Sequence, residues 1–286
     1  MNFILCFGAA IPPETRIPAK GFCPVLIATL PFLAPLALVG AAILAFRGPQ
    51  LRPFQTLRQV EWIALAGFGI AVLSGGLLVL HGAGSSPLIG VFGMGLSVRL
   101  DPVSAIMLLL VSFVGWIVLR FAATYMDGDE RQGPFTGWLC ATLVAVMMLV
   151  IAGNLLQLAL AWIAVSLFLH KLLLHYPDRV AAQRAGHKKW ITARMGDAAL
   201  VIAFILLLIN YGTGDIAHIL EAARLGEGRD LAPWIAAALA LAAMLKSAQF
   251  PMHGWLTEMM ETPTPVSALL HAGVINAGGF LLIRFA

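Results

Sequence analysis

Eight stretches of mostly apolar residues, each about 20 residues long, leave this chain few folds. They run over about 22–46, 61–80, 102–124, 136–153, 155–175, 190–211, 232–250 and 265–285. A helix that crosses the hydrocarbon core of a bilayer needs about 20 such residues. Lipid offers no hydrogen-bonding partner, so each segment must satisfy its backbone internally, as a helix does. Of 286 residues, 60% are hydrophobic and 11% charged, whereas a soluble domain carries roughly 25% charged residues. The expected fold is therefore all-α, a polytopic membrane protein of about eight transmembrane helices. The fourth and fifth segments are joined by almost nothing, with Gly153 and Asn154 at the turn, so these two segments form an antiparallel hairpin.

The division expected is an N-terminal tail over 1–21 and one transmembrane helical domain over 22–286. The tail is a poor signal peptide. It lacks a basic start, its apolar run Phe3–Ala10 is short, and Pro12, Pro13 and Pro18 break any helix. It reads as a mobile tail or an upstream start-site extension. The net charge of +4 is scattered with no basic tract, which argues against nucleic acid. Cys6, Cys23 and Cys140 form no CxxC pair and have no histidine at metal spacing. No phosphate loop, GxSxG or HExxH stands in the chain. No catalytic site, cofactor or metal is therefore expected in it.

Basic loop residues orient the spans. With the N-terminus on one side, the opposite side carries Arg47, Arg52, Arg58, Arg120, Arg131, Arg179, Arg184, Lys188, Lys189 and Arg194. The N-terminal side carries Arg16, Lys20, Arg99, Arg224, Arg229 and Arg284. Positive charge stays cytoplasmic. The ten-residue side is thus the cytoplasmic one, and the N-terminus lies outside the cytoplasm.

An ionisable group at membrane depth costs on the order of 2.5–3.5 kcal/mol and marks a protein or water-filled interior. Lys246 leads this group. It lies near the end of the seventh segment, five residues before Pro251, which removes a backbone hydrogen bond and breaks the helix nearby. A broken helix beside a buried amine is one way membrane proteins build ion sites; a lysine snorkelling to the interface is the alternative. His271, four residues after Ser267 on the eighth segment, is expected to meet the bundle interior. On the fifth segment Trp162, Ser166 and His170 form one stripe, with Lys171 and His175 near its cytoplasmic end as interfacial anchors. Arg194 and Asp197 stand three apart on the sixth and are placed to pair. His253 completes the set. Asp127, Asp129 and Glu130, and likewise Glu258 and Glu261, read as solvated loop acids; the last two flank the turn before the eighth segment and could line an ion entrance.

Several pieces then stand in a telling order: Asp101-Pro102, Asn154-Leu-Leu-Gln157, Lys188-Lys-Trp-Ile-Thr-Ala-Arg-Met-Gly-Asp197, Lys246-Ser-Ala-Gln-Phe-Pro251 and Pro263-Thr-Pro-Val-Ser-Ala-Leu-Leu-His271. Together they resemble the antiporter-like proton-translocating membrane subunits, a superfamily that includes large subunits of respiratory complex I and of multi-subunit sodium/proton antiporters. Complex I members carry a glutamate directly after the tryptophan of the fifth helix, paired with the seventh-helix lysine. Here Ile163 follows Trp162. The run from Ala161 to Arg179 instead resembles the DabB-type membrane subunits of bacterial inorganic carbon transporters.

That resemblance implies an inner-membrane subunit that conducts protons or cations and powers conversion of CO2 to bicarbonate. It implies a DabA-like, zinc-containing, carbonic-anhydrase-like partner, with the zinc in the partner. Lys246 would be the central proton-exchanging group, His271 a relay, and His170, Asp197, Ser166 and His253 further members of the path. The absent glutamate removes the usual partner of Lys246. Family members carry a second helical repeat, so the chain reads as the first part of such a subunit: a fragment, a truncated gene or half of a split protein. Two other readings stand beside it: a proton-pumping subunit of respiratory NADH dehydrogenase or of a cation/proton antiporter, and a non-conducting anchor for a soluble catalytic partner.

Overall fold

The computed structural model describes residues 29–91, 94–177, 179–228, 230–250, 252–257 and 262–285. The N-terminal tail, the start of the first apolar stretch, Cys6, Cys23, Asp178, Arg229, Pro251, Glu258 and Glu261 lie outside the described residues.

A 3₁₀ turn over Leu30–Phe32 leads into α1 (Leu33–Arg47), followed by α2 (Phe54–His81). Four short strands then make two small antiparallel pairs: β1 (Gly84–Ser85) with β4 (Arg99–Leu100), and β2 (Ile89–Val91) with β3 (Met94–Leu96). The chain continues as α3 (Pro102–Tyr125), α4 (Gln132–Val150), α5 (Leu155–Leu173), α6 (Val180–Tyr211) and a short α7 (Ile216–Arg224). After α8 (Ala232–Lys246) come one turn, α9 (Gly254–Thr257), then α10 (Thr264–Leu269), a π-helical turn (Leu270–Val274) and α11 (Ala277–Phe285).

The helix starts follow from local chemistry. Asp101, Asn154 and Asp215 each turn a side-chain oxygen onto free amides of the first turn: Asp101 Oδ1 on Ser104 N at 2.8 Å, Asn154 Oδ1 on Leu156 N at 2.9 Å, and Asp215 Oδ1 on Ala217 N at 2.8 Å. Gly212, at φ 66°, closes α6 in the left-handed conformation that glycine adopts without strain.

Among the described residues six helices are long and apolar enough to cross a membrane, and Ala232–Lys246 is a shorter apolar one. Of the eight spans expected, the seventh is only 15 residues of continuous helix and ends at Lys246. The eighth is divided into α10, the π turn and α11. The sixth differs the other way. The apolar stretch begins near 190, but α6 begins at Val180 and is 32 residues long, about 48 Å at 1.5 Å per residue. Hydropathy marks only the lipid-embedded part of a helix, so the polar first turns went unseen. Lys188 and Lys189 therefore stand on α6 and not in a loop.

The most enclosed helix, α4, packs against α1, α3 and α5, while α6 lies between α5 and α8. Large apolar side chains such as Leu36, Ile43, Leu73, Val79, Ile106 and Ile117 point outward, as lipid-facing residues do. One end of the bundle is tied by Arg52–Asp127 at 3.6 Å and by Gly133 N donating to Gln50 O. At the other end the α4–α5 turn pairs with the segment before α7: Leu155 N donates to Gly214 O, and Ile216 N to Gly153 O. Gln157 locks the strands to that end by accepting from Ser97 N at 2.9 Å.

Candidate functional site

Lys246 is the last residue of α8, and its side chain crosses to α5. Its Nζ donates to Ser166 Oγ at 2.6 Å and to Trp162 O at 3.0 Å, and lies 4.5 Å from the centre of the Trp162 ring. Ser166 stands 11 residues into a 19-residue helix, about 17 Å from its start, close to the middle of a ~30 Å hydrocarbon layer. The amine is buried, with a hydroxyl, a carbonyl and an aromatic face in place of water.

A second lysine reaches the same point. Lys189 Nζ donates to Ser166 O at 2.5 Å, and its side chain is also buried. Asp197, two turns further along α6, is buried and ion-paired to Arg194 at 2.6 Å. It lies within electrostatic range of Lys246 and Lys189. Three helices thus bring two amines, a carboxylate and a hydroxyl together inside the bundle.

Between the two lysines is a cavity of about 20 Å³, bounded by Ser166, Lys189, Thr192, Lys246 and Trp255 among others. A water needs about 10–15 Å³ of such space. One water there would sit within reach of both amines, and proton hops proceed directly or through one water. The arrangement can hold and exchange a proton. Among the described residues no group of three His, Cys, Asp or Glu is placed to hold a metal.

The structure brings together Lys246, Ser166 and Asp197 from the expected set. His170 follows on the same stripe of α5, half-buried, and its Nδ1 has no partner among the described residues. His253 is exposed beside Phe250, ring centres 5.8 Å apart. His271 does not meet the interior. It falls in the π turn, which is wound wider than an α-helix and shifts the face each residue presents, and its side chain is exposed. His175 departs in the opposite sense. Its side chain is only 8% exposed and bonds Asp129 at 3.2 Å, edge-on to Phe135. Asp129 itself also accepts from Tyr176 at 2.9 Å, so neither behaves as a water-satisfied loop group.

Sequence reasoning missed Lys189 and Arg284, both taken as loop charges. For Lys189 a signal was present: positions 189, 193 and 197 recur every four residues, so a helix extended backward from Asp197 puts Lys189 on its face. Arg284 carried no comparable signal. It is buried and bound to Asp101 at 2.5 Å.

Two family models match this chain. One, described as NADH:quinone oxidoreductase/Mrp antiporter, TM, covers residues 152–286. The other, described as NADH-Ubiquinone oxidoreductase (complex I), chain 5 N-terminus, covers residues 88–136. The chain carries the antiporter-like membrane domain of complex I and Mrp antiporter subunits. Within that class it is similar to the probable inorganic carbon transporter subunit DabB of Hydrogenovibrio crunogenus, 44% identical over 191 residues, covering 66% of this chain and 37% of that protein. DabB2 of Halothiobacillus neapolitanus is 39% identical over 235 residues, covering 79% of this chain and 42% of the relative. NADH-quinone oxidoreductase subunit L of Escherichia coli is 33% identical over 199 residues, covering 68% and 32%. The chain therefore spans about two fifths of the length of the DabB proteins it matches. Among solved structures, the Mrp complex from Dietzia sp. DQ12-45-1b contains a chain that superposes with a TM-score of 0.77 at 26% identity, covering 89% of this chain and 28% of that one.

Proposed function

We propose that this chain is the proton- or cation-conducting membrane subunit of an energy-coupled inorganic carbon transporter in a bacterial inner membrane. Ion passage through it would drive conversion of CO2 to bicarbonate in a DabA-like, zinc-containing partner. The observation that carries the reading is the Lys246 amine, held near mid-membrane by Ser166 and Trp162 with Lys189 on the same serine. Lys246 is the exchanging group. Ser166 and Lys189 form its immediate relay, and Asp197 balances the charge. His170 extends the path toward the Asp129 end of the bundle; His253, just before α9, and His271, in the π turn after α10, serve it from exposed positions. The chain makes and breaks no covalent bond itself.

The similarity to complex I subunits favours a second reading, a respiratory proton pump. Ile163 weighs against it, because it stands where respiratory members carry the glutamate that pairs with this lysine. The test is coexpression of the subunit with a DabA-like soluble gene in cells lacking other carbon uptake. Restored growth at air levels of CO2, lost with either gene, supports the carbon reading. Activity that follows NADH oxidation, or growth that survives Lys246→Met, overturns it.

A further inference from the structure

A second polar cavity lies at the α3 N-terminal end of the bundle, away from the lysine pair. It has a volume of about 390 Å³ and is bounded by Arg99, Asp101, Leu220, Arg224, Ile283 and Arg284, among others. A single water needs about 10–15 Å³ of such space, so this cavity has room for far more than one. Three guanidinium groups face one carboxylate, an excess of two positive charges.

The carboxylate is already committed. Asp101 Oδ2 takes Arg99 Nε at 3.0 Å and Arg284 Nη1 at 2.5 Å, and Oδ1 caps α3 through Ser104 N at 2.8 Å. Arg284 Nη2 is fixed on Ser104 Oγ and Ala152 O, both at 3.1 Å. Two donors remain. Arg99 Nη1 and Arg284 Nε are buried with no acceptor among the described residues, and Arg284 as a whole is 4% exposed. A buried donor without an acceptor is costly, more so on a charged group. Arg224, exposed at the end of α7, adds a third charge at the rim.

We infer that this cavity binds a small, singly charged oxyanion. Guanidinium forks match pairs of oxygens, which a spherical anion does not offer. Bicarbonate in solution and the phosphate of an anionic lipid headgroup both supply this chemistry. The site goes beyond the proton path: binding requires neither Lys246 nor transport, so either assignment can fail without the other.

The test uses the intact chain in nanodiscs of neutral lipid. The melting midpoint is followed during titration with sodium bicarbonate, and with sodium chloride at matched ionic strength and pH. Bicarbonate should raise the midpoint saturably and chloride should not. Arg224→Gln should raise the half-saturating concentration at least tenfold, and Arg99→Gln likewise. Arg224 lies outside the Asp101 network, so its variant keeps the test decisive if Arg99→Gln fails to fold. Native mass spectrometry provides the second arm. Phosphatidylglycerol retained by the wild type and lost in Arg224→Gln, with no bicarbonate response, assigns the oxyanion to a lipid. Equal responses to chloride and bicarbonate, or wild type and variants alike in both arms, would overturn the site.

Discussion

Lys246 and Lys189 meet on one residue: the first donates to the Ser166 hydroxyl at 2.6 Å, the second to the Ser166 carbonyl at 2.5 Å. Two like charges this close, in a medium of low dielectric, cannot be set independently; the charge on one acts directly on the other. Asp197, two turns along α6 from Lys189 and paired with Arg194, supplies the nearby negative charge. A proton held at this point is therefore shared among coupled groups.

Replacing Lys246 by methionine should abolish carbon-dependent growth, and Lys246→Arg should lose at least tenfold in uptake rate. A carrier must release its proton, and arginine stays charged under nearly all conditions. Initial bicarbonate accumulation, normalised to subunit abundance in the membrane, measures this. Full activity of the arginine variant would mean that the site needs only a fixed charge.

Ser166 separates the two lysines. Ser166→Ala removes the hydroxyl that holds Lys246 but keeps the carbonyl that holds Lys189. A hydrogen bond to a charged group is worth about 1.5–3 kcal/mol, so uptake should fall roughly tenfold or more. Ser166→Thr retains the hydroxyl and should recover most of the rate. Equal rates for the alanine variant and wild type would remove Ser166 from the relay.

The packed His175–Asp129 pair predicts a pH dependence of stability. Burial pushes the His175 pKa down, against the nearby Asp129 carboxylate. For Asp129, burial works upward but is outweighed by the Arg131 amide, the Tyr176 hydroxyl and His175, which hold it below the usual carboxylate range. A histidine with a depressed folded pKa contributes fully above its unfolded value, about 6.5, and loses stability as pH falls below that. The melting midpoint in detergent should thus drop between pH 7 and pH 5, and less so in His175→Gln. Asp129, depressed in its turn, adds a further loss only under more acidic conditions. Identical pH profiles for wild type and variant would mean that His175 is not the group responsible.

Sidedness follows from the loop charges. Removing the buried Lys189 and the ion-paired Arg194 from one side and the buried Arg284 from the other turns ten against six into eight against five, so the bias survives. Gln183 is exposed in the first turn of α6. A cysteine placed there, in a background without Cys6, Cys23 and Cys140, should resist an impermeant thiol reagent in intact cells and react after permeabilisation. Labelling in intact cells would reverse the topology.

Much of this molecule was legible along the chain, because a bilayer imposes one-dimensional rules. Span length and hydropathy marked α1 to α6 and the apolar stretch of α8, and the cost of polar groups in lipid singled out Lys246, Ser166 and Asp197. Charges near span ends were not legible in the same way. Lys189 and Arg284 read in sequence as loop charges, yet both are buried. Conversely, His271 looked internal and is turned outward by a π turn whose extra residue no periodicity announced. Only the tertiary structure decided which polar groups meet. Ser166 lies 23 residues from Lys189 and 80 from Lys246, and Asp101 lies 183 from Arg284. The sequence set the hydrophobic free energy that drives each helix into the membrane. Which faces touch was decided by side-chain packing between helices and by the need of each buried charge for a partner, and neither can be read from a single helix.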